Sequence, residues 1–257
     1  MILKYMTKQD ILLSLIIPVY RQEKIILTNI ESILSTLSQT NYIFEIIVVI
    51  DGQVDKSEQI LKKAKLPNVK IITYPKNKGK SFAIREGMGV ARGTYVMFLD
   101  SGMEIDPVGI AMLMEHMKWY DADIIVGSKR HPASKVHYPL KRRIMSSGYY
   151  YLVRFLFGVK VKDTQAGIKV FRREVLSDIL PRLVEKRFAG DLEMLVVAKK
   201  CDYHKIYEAP INLIYTQDQF SSAVKLKSIL EISTDTLAIW YRKNILRFYD
   251  KIQQKNH

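Results

Sequence analysis

Residues 94–102, TYVMFLDSG, decide the fold of this chain, because a short run of strand-forming apolar residues ends there in an acidic turn that contains glycine. Residues 45–52, EIIVVIDG, repeat the arrangement, and residues 15–24, LIIPVYRQEK, start in the same way. Runs of this kind predict strands at residues 14–19, 44–50, 69–74, 94–99 and 123–127. Strands this apolar are typical of sheet positions that are covered on both faces.

Amphipathic stretches lie between the predicted strands, for example residues 25–37 and 57–65, where apolar residues recur three or four positions apart. The alternation predicts an α/β fold in which helices cover a largely parallel sheet. Ligands of such sheets bind beyond the carboxyl ends of the strands, so the turns that follow the strands form the candidate site. These turns are residues 18–23, 51–52, 75–80 and 100–102. Gly and Asp form turns in any protein, but four such turns in succession, most of them charged, favour a binding site.

The second half of the chain has a less regular pattern. Residues 127–143, GSKRHPASKVHYPLKRR, predict a basic loop, and residues 162–173, KDTQAGIKVFRR, predict a turn. Helices are expected at residues 143–157 and 190–200, and a long amphipathic helix at residues 225–251. We therefore expect one domain over residues 1–224 and a helical tail over residues 225–257, with no Gly/Ser-rich linker between them.

The composition indicates which classes of binding partner and which cellular compartment to expect. The 257 residues carry a net charge of +14, which implies an anionic partner such as a phosphorylated substrate, an anionic membrane surface or a nucleic acid. Cys201 is the single cysteine, and no Cys/His cluster has the spacing of a zinc site. No secretory signal and no apolar run of about 18 residues is visible. These features predict a reducing, cytoplasmic setting.

Two acidic residues at strand ends carry the first chemical signal. Asp51 and Asp100 offer oxygen atoms that could accept hydrogen bonds from a base or ribose, or could bind a divalent cation. Residues 77–87, NKGKSFAIREG, open a helix after a turn, which would place backbone N–H groups and basic side chains near an anion. An exposed basic helix start is the alternative. The glycine spacing of Walker and dinucleotide-binding motifs is absent.

Asp191 and Glu193 form a second acidic pair, at the start of the apolar helix predicted for residues 190–200. Their spacing of two puts them on different helix faces, so that one could cap the helix while the other faces a cleft. A carboxylate in a cleft could act as a general base for a hydroxyl acceptor or orient a phosphate acceptor.

Taken in order, these segments resemble the family 2 inverting glycosyltransferases with the GT-A fold, a Rossmann-like mixed sheet flanked by helices. The resemblance covers residues 14–242. Within the family, the chain is most similar to the polyprenyl-phosphate branch, that is, the dolichyl-phosphate glucosyltransferases and mannose synthases. The matching segments are LIIPVYRQEK, EIIVVIDG, NKGKSFAIREG, ARGTYVMFLDSG, GSKR, DTQAGIKVFRR, RFAGDLEML and SSAVK. DTQAG and RFAGDLE are the segments that point to this branch.

The resemblance implies a role for each matching residue. The nucleotide-sugar donor would be bound by Pro18, Tyr20, Glu23, Asp51, Lys80, Asp100, Ser101, Arg130 and Gln165. The acceptor phosphate would be bound by Arg130, Asp191 and Lys225, and a Mg²⁺ or Mn²⁺ ion by Asp100 and Gln165. Asp100 and Asp191 would be the catalytic residues. Because the acceptor phosphate is already ionised, positioning and charge neutralisation would carry most of the catalysis.

The chain departs from the family pattern at three places. Residues 20–22 read Tyr-Arg-Gln where the branch has Tyr-Asn-Glu, and Ile50 replaces the first Asp of an Asp-Asp pair. Gly102 replaces the second Asp of the Asp-x-Asp metal motif, which leaves Asp100 and Gln165, with Glu104 or the nucleotide itself as further candidates, to supply oxygen ligands. Weak metal binding, metal-independent transfer that uses basic residues, and loss of activity are the three open consequences.

The predicted function is transfer of glucose or mannose from UDP-glucose or GDP-mannose to a polyprenyl phosphate. The basic residues 129–143 and the tail from Lys225 onward would contact the cytoplasmic face of a membrane peripherally. The alternatives are transfer to a soluble saccharide, nucleotide-sugar binding with weak catalysis, and nucleic-acid binding. Only the net charge supports the last alternative, so no nucleic-acid partner is expected.

Overall fold

The computed structural model describes residues 12–102, 105–134, 140–187, 189–213 and 226–250, with side chains described outside 140–145 and 226–231. Its centre is a mixed seven-stranded sheet. The strands are β1 Leu13–Val19, β2 Phe44–Asp51, β3 Val69–Tyr74, β4 Tyr95–Leu99, β5 Ile124–Ser128, β6 Ile168–Arg172 and β7 Ile206–Pro210. The helices are α1 Ile26–Ser38, α2 Ser57–Ala64, α3 Lys80–Val90, α4 Gly109–Trp119, α5 Leu140–Phe157, α6 Arg173–Ile179, α7 Gly190–Lys200 and α8 Leu226–Asn244, with a short 3₁₀ helix at Leu180–Arg182.

The sheet has the order β3-β2-β1-β4-β6-β5-β7, and β6 alone runs antiparallel to its neighbours. Every residue of β1 is buried, because helices cover both faces of the sheet. Alternate residues of β1 serve different cores: Ile16 packs with α3 and α7, whereas Leu15 and Ile17 pack with α1 and α4. The predicted α/β fold, a mixed sheet flanked by helices, is confirmed.

The five predicted strands are present, with ends that differ from the prediction by at most one residue at either end. The prediction of a turn over residues 162–173 is wrong, because this segment contains β6 and runs directly into α6. A polar DTQAG segment precedes β6 and a lysine interrupts its apolar run, so its periodicity is hidden in the sequence. The edge strand β7 was also not predicted, because its sequence IYEAP has no continuous apolar run and contains Glu208 and Pro210.

The basic segment and the tail are shorter than predicted. Strand β5 continues to Ser128 and α5 begins at Leu140, so both ends of the predicted loop at residues 127–143 belong to regular elements. Helix α8 ends at Asn244 rather than at residue 251, and Tyr249 beyond it is buried in the core together with Ile239 of α8. Within the described ranges, no helix is long and apolar enough to cross a membrane.

The register between β4 and β6 brings the start of the antiparallel strand β6 to the carboxyl end of β4. Ile168, the first residue of β6, pairs with Leu99, the last residue of β4. Residues 165–167, which precede β6, therefore lie beside the carboxyl end of β4. At the same edge of the sheet, β1 ends between β2 and β4, which is the place where open α/β sheets bind their ligands.

Candidate active site

An open cleft of about 840 Å³ lies at the carboxyl ends of β1, β2 and β4. It is lined by Pro18, Val19, Tyr20, Gln22, Asp51, Asn77, Lys78, Gly79, Lys80, Asp100, Ser101, Gly102, Lys186 and Arg187. Of the predicted donor-binding residues, the structure therefore brings together Pro18, Tyr20, Asp51, Lys80, Asp100 and Ser101. Four of the lining side chains are basic and two are acidic, which makes the cleft suited to an anionic ligand.

Asp51, at the end of β2, organises the loop between β3 and α3. Its carboxylate accepts hydrogen bonds from the Tyr74 hydroxyl (2.9 Å), the Asn77 side-chain amide (2.8 Å), and the N–H groups of Lys78 (2.7 Å) and Gly79 (3.0 Å). Four donors occupy the acceptor positions of a carboxylate. Gly79 adopts a φ of 101°, which favours glycine. Asp51 thus shapes the cleft wall, and its predicted contact with a base or ribose stays a prediction.

The start of α3 presents side chains rather than backbone groups to the cleft. The N–H groups of Ser81 and Phe82 donate to the carbonyl oxygen of Lys186, at 3.1 and 3.3 Å. These first-turn amides are therefore engaged within the protein, contrary to the expectation that backbone N–H groups would lie open to an anion. Lys78 lies over the ring of Phe82, 4.4 Å from its centre, and Lys80 extends into the cleft.

A chain of four alternating charges leads from the core to the cleft. Lys169 of β6 is fully buried, and its Nζ lies 2.6 Å from Oδ1 of Asp191, which is 2% exposed. Oδ2 of Asp191 lies 3.4 Å from Nζ of Lys80, which in turn lies 2.8 Å from Oδ1 and 3.0 Å from Oδ2 of Asp100. The Asp100 side chain is 41% exposed. Lys80 is therefore a cation held from behind by a buried carboxylate and presented at the cleft.

The protonation of this chain follows from burial and from its own charges. Burial acts to lower the pKa of Lys80, but the carboxylates of Asp191 and Asp100 outweigh it and raise that pKa above its ordinary value. Burial acts to raise the pKa of Asp191, and the two lysines outweigh it and lower that pKa. For Lys169 burial prevails over Asp191, so the pKa of Lys169 is lowered. Lys80 and Asp191 are thus charged at neutral pH.

Asp100 rests against the DTQAG segment. Its N–H donates to the carbonyl oxygen of Gly167 at 2.9 Å, and a Cβ added at Gly167 would overlap the Asp100 carboxylate. A side chain at this position would therefore displace the Asp100 carboxylate where β6 passes the end of β4. The side chain of Gln165, two residues earlier, has a buried Nε2 and lies beside the hydroxyl of Tyr149 on α5. Gln165 does not line the cleft, although it lies only two residues before Gly167, which contacts Asp100.

Two predicted site residues bind other parts of the fold. The Glu23 carboxylate accepts a hydrogen bond from the N–H of Lys56 at 3.0 Å and so joins two loops. The Arg130 guanidinium donates to the carbonyl oxygen of Ser146 and the hydroxyl of Ser147 on α5, at 2.8 and 2.9 Å. Neither residue lines the cleft. Lys225, the predicted acceptor-phosphate residue, and Glu104 lie outside the described residues.

The expectation that one member of the pair at residues 191 and 193 caps its helix is wrong, because both carboxylates are buried and neither caps α7. Glu193 accepts hydrogen bonds from the N–H groups of Val184 (3.0 Å) and Glu185 (2.9 Å) and from the hydroxyl of Tyr249 (2.8 Å). Burial raises the pKa of Glu193. Glu193 therefore joins the segment before α7 to the end of the tail, whereas Asp191 faces the two lysines.

The family model of glycosyl transferase family 2 matches residues 14–180, which include the strands and turns that build the cleft. The chain belongs to this family. The predictions that it is a family 2 glycosyltransferase and that it has the GT-A fold are thereby confirmed.

Named relatives of this family 2 chain are similar to it in sequence over about three quarters of their length. A human dolichyl-phosphate beta-glucosyltransferase is 30% identical over 252 residues, which cover 92% of this chain and 76% of the relative. The corresponding protein of Drosophila melanogaster is 29% identical over 247 residues, or 90% of this chain and 74% of the relative. These similarities agree with the predicted resemblance to the polyprenyl-phosphate branch.

Solved structures share the fold at low sequence identity. The mannosyl-3-phosphoglycerate synthase of Rubrobacter xylanophilus superposes with a TM-score of 0.71 at 15% identity, over 96% of this chain and 77% of that one. The glucosyl-3-phosphoglycerate synthase of Mycobacterium tuberculosis, solved with Mn²⁺, UDP and glucosyl-3-phosphoglycerate, has a TM-score of 0.64 at 15% identity, over 90% of this chain and 78% of that one. At this identity the likeness concerns the fold alone.

Among the described residues of this family 2 chain, the acidic side chains form no cluster that could hold a divalent metal ion by themselves. Mg²⁺ and Mn²⁺ require several oxygen ligands, and the described residues contain no group of three or more acidic, His or Cys side chains that could hold a metal ion. Asp100 is already paired with Lys80, and Gln165 does not line the cleft. The described residues therefore do not bring Asp100 and Gln165 together as the predicted metal site.

Several residues of the site were not predicted from the sequence. Lys186 and Arg187 line the cleft, and Lys169 anchors Asp191. Lys169 had a usable signal, because a single lysine within an apolar strand is expected to have a buried acidic partner. Lys186 and Arg187 had none, since they lie in an irregular segment that tertiary packing alone brings to the cleft.

Proposed function

We propose that this family 2 chain transfers glucose, with inversion, from UDP-glucose to a polyprenyl phosphate. The named relatives that support glucose are dolichyl-phosphate beta-glucosyltransferases, so UDP-glucose takes precedence over GDP-mannose as donor.

The hydrogen bonds and ion pairs of the carboxylates at the cleft are the observation that favours one class of acceptor. Asp51 is occupied by four hydrogen-bond donors, Asp100 is paired with Lys80, and Asp191 lies behind Lys80, paired with both lysines. The two carboxylates that line the cleft in the described part of the chain are therefore both paired with groups of the protein, and neither is free to deprotonate a sugar hydroxyl. A phosphate acceptor needs no such base, because its oxygen is already anionic. This observation favours polyprenyl phosphate over a soluble saccharide.

The chemical step requires charge neutralisation and alignment. A phosphate oxygen of the acceptor attacks C1 of glucose on the face opposite the leaving group, and the bond from C1 to the UDP diphosphate breaks with its electron pair passing to UDP. The products are glucosyl-phosphoryl-polyprenol and UDP, and the configuration at C1 is inverted. Lys80 and the other basic residues of the cleft would stabilise the negative charge that develops on the departing diphosphate.

Two helices support a peripheral membrane contact. On α5, Tyr151 and Phe155 are exposed one helical turn apart, and on α8 Leu237 and Tyr241 repeat this spacing. The hydroxyl groups of Tyr149 and Thr236 are 3.0 Å apart and join the two helices. Exposed apolar stripes on a strongly basic protein are typical of surfaces that lie on anionic membranes. We place the active site at the cytoplasmic face on this basis, with basic side chains drawn to anionic lipids.

The test is transfer with purified protein, labelled UDP-glucose and dolichyl phosphate in vesicles. Label that enters the organic phase with dolichyl phosphate, but not with unphosphorylated dolichol, supports the proposal. Labelled GDP-mannose in a parallel reaction tests the sugar and the base. Transfer to soluble saccharides instead would refute the lipid acceptor, and nucleotide binding without any transfer would leave a binding protein with weak catalysis.

A further inference from the structure

The cleft has an open space where the second acidic residue of the metal motif would stand. A Cβ built at Gly102 meets no described atom within 4 Å, so no neighbouring side chain of the described residues fills that place. The neighbouring residue Ser101 turns its carbonyl oxygen to the side chain of Asn29, at 2.8 Å. Of the two positions of the metal motif, only Asp100 therefore carries a carboxylate.

A cation of the protein already occupies the position beside Asp100. The ammonium of Lys80 lies within 3.0 Å of both oxygen atoms of the Asp100 carboxylate. A divalent ion bound to the same oxygen atoms would stand within a few ångströms of this ammonium, where like charges repel strongly in a partly dehydrated site. The described residues add no cluster of acidic, His or Cys side chains beside Asp100, so its other ligands would have to come mainly from the diphosphate and from water.

Lys80 is fixed independently of Asp100. Asp191 holds it from the protein side, and Lys169 holds Asp191 in a fully buried pair. A ligand that drew Lys80 away from Asp100 would therefore still find the ammonium anchored at the cleft. Lys78, Lys186 and Arg187 line the same cleft, which places a group of basic side chains around one anchored cation.

We propose that the anchored ammonium of Lys80 replaces the divalent metal as the cation that neutralises the donor's diphosphate, so that this chain binds UDP without metal. The inference rests on the proposed function in that it assumes a nucleoside diphosphate in this cleft. It assigns to Lys80 a role in binding and leaving-group stabilisation, and to Asp191 and Lys169 the role of positioning it.

Calorimetric titration of the full chain with UDP tests this, once with EDTA and once with Mn²⁺. The Kd for UDP should differ by less than about threefold between the two conditions, and Mn²⁺ alone should show no binding. Lys80→Met should weaken UDP binding by about tenfold or more in both conditions. Lys76→Ala, an exposed lysine of the same loop that does not line the cleft, is the matched control and should bind UDP as the wild type does.

Gly102→Asp provides an arm that does not depend on the stability of a lysine variant, because the space at this position is open. Restoring the second carboxylate should make UDP binding stronger by about tenfold with Mn²⁺ than with EDTA. Tightening of wild-type UDP binding by Mn²⁺ to that extent would overturn the inference and leave the proposed function intact. Failure of both UDP and GDP to bind in either condition would overturn both.

Discussion

Replacement of Asp191 by Asn should unfold this protein at a clearly lower temperature, although the change removes only one charge. Oδ1 of Asp191 lies 2.6 Å from the ammonium of Lys169, which is fully buried and therefore depends on this carboxylate for its charge. Removing one partner of a buried ion pair typically costs about 3–5 kcal/mol, and we expect about 3 kcal/mol because Asn keeps one acceptor oxygen. In a chain of this size that corresponds to a fall in Tm of roughly 6–12 °C.

Thermal unfolding followed by circular dichroism at neutral pH measures this effect. Asp121→Asn is the matched control: Asp121 also contacts two cations, Lys205 and Arg172, but its side chain is 71% exposed, so its variant should melt near the wild-type temperature. Adding Lys169→Met to Asp191→Asn removes the stranded charge and should recover much of the lost stability. The reasoning is refuted if Asp191→Asn melts within about 2 °C of the wild type, a shift below that expected from 1 kcal/mol.

Three further predictions concern the packing of Gly167 against Asp100, the pH dependence of stability through Glu45, and membrane binding through Phe155. Gly167→Ala would force a Cβ into the Asp100 carboxylate and should reduce transfer activity by about tenfold or more, whereas Gly89→Ala on α3, where a Cβ meets open space, should leave transfer unchanged. Unchanged activity of Gly167→Ala would show that Asp100 need not lie against this backbone. The Glu45 carboxylate accepts hydrogen bonds from Ser14 and Arg92; burial acts to raise its pKa, but these bonds outweigh burial and lower it. Its stabilising effect is therefore present above the unfolded pKa of about 4.5 and is lost as the pH falls through the lower folded pKa, so Glu45→Gln should cost about 1–3 kcal/mol in urea unfolding at neutral pH and much less in acid. An equal cost at both pH values would contradict this assignment. Phe155→Glu on α5 should weaken co-sedimentation with anionic vesicles, whereas Trp119→Glu on α4, at almost the same exposure (86% against 87%), should not; equal losses would place the membrane contact elsewhere.

The parallel half of the sheet was predictable because its signals are local. A strand such as β2 is a continuous apolar run that ends in Asp51, and the physics of covered parallel strands requires no distant partner to recognise it. The same reasoning placed Asp51, Asp100 and Ser101 at one edge of the sheet, since the carboxyl ends of parallel strands meet there. Pro18 and Tyr20 followed in the same way from the end of β1.

The failures have one physical cause, which is that partners distant in sequence decide how a polar side chain is used. Strand β6 is recognisable only through its pairing with β4 and β5, because Lys169 breaks its apolar pattern. Arg130 matches the family pattern and Glu23 stands one position beyond it, and hydrogen bonds to α5 and to the N–H of Lys56 hold these two side chains outside the lining of the cleft. No local pattern reports such pairings.

The sequence by itself determined the fold class, the position of the cleft and the loss of the second acidic residue at Gly102, because strand periodicity and motif order depend only on neighbours along the chain. Only the tertiary structure decided what takes the place of that residue. It brings Lys169 from β6, Asp191 from α7 and Lys80 from α3 into contact, across 111 residues of chain between Lys80 and Asp191. Burial then makes the three charges depend on one another, since an unpaired charge in the core would be strongly unfavourable. The result is an anchored cation at the donor cleft.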